Sequence, residues 1–369
     1  MVTYSSAKVV VVRDWRLGLL YYSMIFGVCI YVIYNMIVTG SYLDKAPPVA
    51  GSVRTSLRMP PNLPVPSYCT PGPFNPDGCL FWSPEQIAYP FIGELNTLFI
   101  TTRVSIYNAS AKPDCSFLSP TSQACTPPSI SELRSTRKTY YIANVEAMTM
   151  QIDHSVRTQG SFKFGQSIFT VVPAKNMIGT LQNVCPEKAP IVYENPFDQN
   201  YRESKPFNTS LDVIPLQKFL DYSTCESETF DFNVESNADG AASKETVRSA
   251  GFIVSVPINY ANRQSNNAQL KYQYLPSIIG GSEMKLTQQQ FNSDGSITYL
   301  DRHGIRLVFA QTGSIGIFNF ITALLNLVAA LAMVKVATLI VDSMMLYLLP
   351  KKETYKKAKF DETEDLHHP

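Results

Sequence analysis

Two stretches of this 369-residue chain carry no charged residue, Leu17 to Val38 and Val308 to Val334. Soluble helices rarely run so long without a charge, because one face must meet water. Each stretch is long enough to cross about 30 Å of hydrocarbon, which takes about 20 mostly apolar residues. The first is too long for a secretory leader, and "TGSYLDKAPP" behind it offers no small-residue cleavage site, so it is expected to remain as an anchor. Catalytic signals are also scarce. The four histidines are His154, His303, His367 and His368. HExxH, Cys-x-x-Cys, Gly-x-Ser-x-Gly and a phosphate-binding glycine loop are all missing. No catalytic residue, no metal site and no cofactor are expected, and the chain does not read as an enzyme. A formal net charge of +1 gives no electrostatic reason to expect nucleic acid as a partner.

What is present is segregated. Lys8, Arg13 and Arg16 precede the first run, and just after the second, within 351–359, lie Lys351, Lys352, Lys356, Lys357 and Lys359 against one acid, Glu353. Basic flanks stay on the cytosolic side. Both termini are therefore expected in the cytosol, and residues 39–312 outside or in a lumen. Six of the seven cysteines (Cys69, Cys79, Cys115, Cys125, Cys185, Cys225) fall in that outer segment; Cys29 lies in the first run. An even number there points to disulfides in an oxidising compartment. Closure between nearest neighbours, 69–79, 115–125 and 185–225, is the expected pairing. The sequons at Asn108 and Asn208 also fall outside, where they can carry glycans.

The outer segment opens with a proline-rich stretch, "KAPPVAGSVRTSLRMPPNLPVPSYCTPGPFNP", which disfavours helix and central strand and reads as extended connections around a short strand, "SVRTSLR". Beyond it, apolar residues alternate. "NTLFITTRVSIYN" sets Leu98, Ile100, Thr102, Val104 and Ile106 on one face. "EAMTMQIDHSV", "GFIVSVPINY" and "HGIRLVFAQTG" repeat the pattern. Period two is the strand signal. The expected class is a membrane protein with two transmembrane helices flanking a large, mostly-β, disulfide-bearing ectodomain. Its expected segments are a cytosolic N-terminus at 1–15, a first span at 16–38, a β-rich ligand-binding domain at 39–312, a second span at 313–349 and a cytosolic tail at 350–369.

The second span is not uniformly apolar. "ALAMVKVATLIVD" places Lys335 and Asp342 in it, beside Asn319, Thr322, Asn326 and Thr338. Ionisable groups in a membrane are expensive and face a bundle interior or water. One helix cannot enclose a water path, but several copies around an axis can, so a symmetric oligomer is implied. The plainer alternative is that polar groups only hold helices together.

Several stretches then match a known family in order. "YSSAKVVVVRDWRLGLLY" resembles the Tyr-x-Thr-x-Lys entry to the first span of the ionotropic purinergic receptors, the trimeric ATP-gated cation channels, with Ser6 for the threonine and Lys8 for the lysine. "GSVRTSLR" resembles their basic strand, and "FWSPEQIAYPFIGELNTLFITTRVSIYN" the segment after it. "HGIRLVFAQTGSIGIFNFITALLN" resembles their Gly-Ile-Arg strand and its passage into the second span. "VATLIVD" ends in the family's aspartate, Asp342. "YKKAKF" matches the Tyr-x-x-x-Lys trafficking and tail motif, with Tyr355 and Lys359. Residues 110–250 match poorly. The proline-rich stretch and the low cysteine count depart from animal members and point to a distant, microbial relative.

The resemblance implies a homotrimer that binds ATP between neighbouring ectodomains and opens a pore for Na, K and Ca ions, embedded in lipid of the plasma membrane or an intracellular vacuole membrane. The family's phosphate cations are altered here. The Lys-x-Lys pair reads Ser56-Leu57-Arg58, the Asn-Phe-Arg motif is matched to Lys271-Tyr272-Gln273, and the lysine before Gly-Ile-Arg becomes Asp301 followed by Arg302. Arg58, Lys271 and Arg302 are the expected phosphate ligands, with the proviso that adjacent strand positions point to opposite faces. Leu325, Ala329 and Ala332 match the pore stripe. Lys335 replaces a small residue and sits about 10 Å from Asp342 along the helix. A ring of lysines would lower cation conductance; alternatively the side chain snorkels to the cytosol. The rival readings are a two-span receptor without a pore and a nucleotide-acting ectoenzyme.

Overall fold

The computed structural model describes residues 15–46, 51–89, 96–109, 129–159, 169–173, 177–185, 212–225, 229–262 and 270–359. These form two units, one reaching to Lys45 and resuming at Gly316, the other running from Ala46 to Ile315.

The first unit is built on helix α1 (Trp15–Tyr34), extended by a π turn over Asn35–Thr39, and on a long helix, Phe320–Tyr347. Gly40 ends the first helix in the left-handed conformation, φ 59°, where a side chain would be strained. Mean hydropathy reaches 1.9 and 2.3 over the two spans, yet only 6% of either window is buried. A soluble core helix would be covered by its own protein. Exposure of this much apolar surface fits lipid as the solvent.

The second unit is a two-layer β structure, its strands numbered in chain order together with β1 of the first unit. The larger sheet runs β3 (Cys79–Leu80), β6 (Lys138–Ile142), β5 (Thr97–Ala109), β15 (Ile297–Phe318), β11 (Phe252–Ala261), β12 (Lys271–Tyr274), β9 (Ile178–Leu181). Off that path, β1 (Leu43–Ala46) and β14 (Lys285–Phe291) pair with β15, β4 (Ala88–Tyr89) with β5, and β13 (Ser277–Ile278) with β11. The smaller sheet runs β10 (Asp212–Pro215), β7 (Thr149–Gln159), β2 (Val53–Arg58), with β8 (Phe169–Pro173) on β7. Short helices α2 (Pro84–Ile87), α3 (Ile130–Thr136), α4 (Leu216–Asp221) and α5 (Val247–Ala250) fill the connections; α6 is the long helix Phe320–Tyr347 and α7 is Lys352–Lys359.

The alternation in the sequence becomes the packing. On β11, Phe252, Val254, Val256, Ile258 and Tyr260 are buried while their neighbours are half-exposed. On β7, Met150, Ile152, His154 and Val156 point the same way, into a core shared by both sheets. Strand β5 departs from a simple alternation. Leu98 to Ser105 are buried without interruption, because β5 is central, held between β6 and β15, and covered on both faces. The glycine of Gly-Ile-Arg has a steric cause. The register between β5 and β15 shifts at His303/Gly304, and a Cβ on Gly304 would land on the Ile100 carbonyl.

Among the described residues two disulfides staple the unit, Cys69–Cys79 and Cys185–Cys225. Cys115 and Cys125 lie outside the described residues, as do Ser6, Lys8 and Asn208.

Candidate ligand site and pore helix

The expected phosphate cations do not converge. Arg58 is exposed on β2, where Arg54, Ser56 and Arg58 share the face opposite buried Leu57. Lys271 is exposed on β12, on the face opposite buried Tyr272 and Tyr274. Both point outward, but from different sheets whose inner faces meet. Arg302 lies differently from both. It is 6% exposed, sandwiched near Trp82 and Tyr89 at 4.8 and 5.0 Å from the ring centroids. Its donors are already engaged: Nη1 with the Gln86 carbonyl at 2.7 Å and Thr101 Oγ1 at 3.1 Å, Nε and Nη2 with Gln288 Oε1. A guanidinium held this way packs α2 and β4 against the sheet. It does not reach a phosphate without dismantling that cage.

Another cation stands where the sequence appeared to lose one. Lys285, on β14, opposes His303 across the hairpin, and its Nζ lies 3.5 Å from Asp301 Oδ2. The side chain is 52% exposed, against 17% for Asp301, which also accepts from Thr287 Oγ1. Sequence reasoning missed Lys285 because the neighbour across a hairpin is set by register, 16 to 18 residues away in the chain. The Asp-Gly turn at 294–295 was the available signal.

Beside this hairpin lies a buried ion pair, Arg103 Nη1 to Glu245 Oε1 at 3.2 Å. His303 abuts it. Burial, with the Arg103 charge adding, pulls its imidazole down to about 4, so it is neutral at pH 7, with Nδ1 set 3.4 Å from the Ala250 carbonyl. A second buried arginine, Arg248, stacks on Tyr68 at 3.6 Å and pairs with Glu146 at 3.1 Å. Both arginines serve the fold.

In the first unit, Leu325, Ala329, Ala332 and Lys335 are all exposed. At about 100° per residue, the first three form one stripe and Lys335 stands roughly 60° beyond its edge at Ala332. The helix side toward α1 carries Asn326, Met333 and Ala337, with Ala329 at its margin. Among the described residues Lys335 has no ion-pair partner. Asp342 does, and it is not the expected one: Lys359 Nζ lies 2.6 Å from Asp342 Oδ2. Tyr355, one turn before Lys359, packs on a cluster of Leu17, Met345 and Leu346. Asn326 Nδ2 donates to the Ser41 carbonyl, so this amide ties α6 to the segment that follows α1 within the same chain. Asn108 is exposed at the end of β5, its Oδ1 accepting from Thr298 Oγ1 at 3.2 Å. No group of three or more metal-ligating side chains occurs among the described residues.

Comparison with known proteins agrees with this layout. The family model "ATP P2X receptor" matches residues 285–362, which include the β14–β15 hairpin, α6 and α7. P2X receptor A of Dictyostelium discoideum is 31% identical, over 99% of this chain and 91% of its own length. P2X receptor C of the same organism is 30% identical, over 99% and 92%. Among solved structures, the chicken ATP-gated P2X7 receptor channel shares the fold with a TM-score of 0.50 at 14% identity, covering 89% of this chain and 99% of that one. The chain belongs to the P2X receptor family, the ATP-gated cation channels.

Proposed function

We propose that three copies of this chain form a cation channel opened by ATP bound between neighbouring ectodomains. The stripe Leu325–Ala329–Ala332 carries the reading of the pore. It is apolar and exposed, with Ala329 at its edge also lining the groove shared with α1, and a ring of such side chains on a symmetry axis forms a constriction that gates by dewetting. Na, K and Ca are the permeant ions, both termini are cytosolic, and the host membrane is the plasma membrane or that of an intracellular vacuole.

The outward aim of Arg58 and of Lys271 from different sheets supports a ligand held between chains rather than within one. Lys285 takes the place first given to Arg302, because an exposed ammonium on a β hairpin can form the charge-assisted bonds a triphosphate needs. Patch-clamp current with ATP on the ectodomain side, under a sodium chloride gradient, tests the reading. Reversal near the sodium potential is expected. Reversal near the chloride potential, or no current from correctly oriented protein, overturns it.

A further inference from the structure

Asp342 is the only acid on α6, and Lys335 its only base. The acid is not left bare. Past Tyr347 the chain turns at Pro350, and α7 runs back so that its last residue, Lys359, meets Asp342 at 2.6 Å. Tyr355 and Lys359 are four residues apart and share one helix face. The ring is anchored among Leu17, Met345 and Leu346, and the ammonium is delivered to the carboxylate. Lys356 adds a contact over the Tyr347 ring at 5.6 Å. Leu17 belongs to α1, so this short helix binds the ends of both spans.

The pair is a poor stabiliser. Its side chains are 29% and 37% exposed, and ion pairs in that setting contribute little. Its effect is on charge. On the trimeric channel reading, on which this inference rests, three Asp342 carboxylates surround the inner mouth, and an acidic ring there concentrates cations. We propose that Lys359 is a specificity-determining residue for permeation. Docked, the tail neutralises the Asp342 ring; released, it exposes the ring and the mouth draws cations more strongly. The Tyr-x-x-x-Lys spacing thus encodes a charge-setting latch within the chain.

The test is unitary conductance and relative Ca permeability of ATP-opened channels. Lys359→Gln is expected to raise both, conductance by roughly twofold, with the ATP concentration for half-opening unchanged. Lys359→Arg keeps wild-type values. In an Asp342→Asn background Lys359→Gln changes nothing further, and the swap Asp342→Lys with Lys359→Asp returns toward wild type. Unitary values are independent of how many channels reach the surface, so a trafficking loss cannot imitate the result. Additive effects of Lys359→Gln and Asp342→Asn, or an unchanged unitary conductance in Lys359→Gln, overturn the proposal. A wild-type chain without ATP current defeats the channel reading instead. The contact itself is then read in full-length Asp342→Cys, Lys359→Cys protein by a short bis-methanethiosulfonate, which joins two thiols through two disulfides with release of two methanesulfinates. Bridging within one chain is expected, and its absence sinks the latch.

Discussion

His154 and Asp212 face each other at 3.5 Å, both side chains fully shut off from solvent, in the seam where β7 and β10 of one sheet meet β11 and β12 of the other. The separation is too long for a well-aligned hydrogen bond, and His154 Nε2 makes none. The site is closed by tyrosines. Tyr260 OH and His154 Nδ1 are 2.8 Å apart, and Tyr272 and Tyr274 both donate to Asp212 Oδ2, at 2.5 and 2.8 Å. Burial pushes the Tyr260 and Tyr274 hydroxyls up, so they remain protonated. Gln311 links Tyr260 to the Gly51 amide and the Ser155 carbonyl.

Removing one partner of such a network strands the others. Asp212→Ala is expected to destabilise the ectodomain by about 3–5 kcal/mol, and Asp212→Asn by less, since an acceptor oxygen survives. Melting of the detergent-solubilised protein, followed by size-exclusion fluorescence, reads this. Equal melting temperatures for Asp212→Ala and the parent protein would contradict it.

The reassignment of cations separates two variants. Arg302→Lys loses the planar fork that reaches Gln86, Thr101 and Gln288, and is expected to cost about 2–3 kcal/mol of stability. Lys285→Ala leaves the melting temperature within about 0.5 kcal/mol of the parent and weakens ATP potency by roughly tenfold. The reverse pattern, with potency lost in Arg302→Lys at full stability, would restore Arg302 as a ligand.

His303 gives a pH dependence of known sign. Its folded value of about 4 lies below the ordinary 6.5, so the unfolded chain takes up the proton first. Stability is full above about pH 6.5 and falls as pH drops toward 4, by at most about 3 kcal/mol. His303→Gln is expected to flatten that part of the melting-versus-pH curve. An identical slope in parent and variant would assign the acid sensitivity elsewhere.

Lys335→Gly tests the lone base on α6. A ring of three ammonium groups near the pore repels cations, so the variant should conduct more, by roughly twofold. Unchanged conductance and reversal potential would place the side chain away from the ion path.

Much of the fold was legible because its signals are local. Uncharged runs marked α1 and α6, and period-two alternation marked β5, β7, β11 and β15. The nearest-neighbour cysteine pairs 69–79 and 185–225 are present among the described residues. Failures came where register decides. Position 302 read as exposed cation because the sequence shows a charge, whereas the bulge at Gly304 and the Trp82 and Tyr89 rings turn it into core. Lys285 and Lys359 were hidden for the complementary reason: each meets an acid, Asp301 or Asp342, that only a hairpin or a chain reversal brings near. Asp301 itself reads as a lost cation until its cross-strand neighbour is known.

Between β15 and α6 stands one residue. Phe318 ends the strand, Phe320 begins the helix, and Asn319 caps it, its Oδ1 accepting from Ile321 N at 2.9 Å. The junction therefore has almost no compliance. A loop would stretch or coil and absorb a displacement of the strand end, but a single capped residue can only pass it on. Travel of the strand end is travel of the helix start, ångström for ångström, and two glycines inserted beside Asn319 would turn that rigid link into slack.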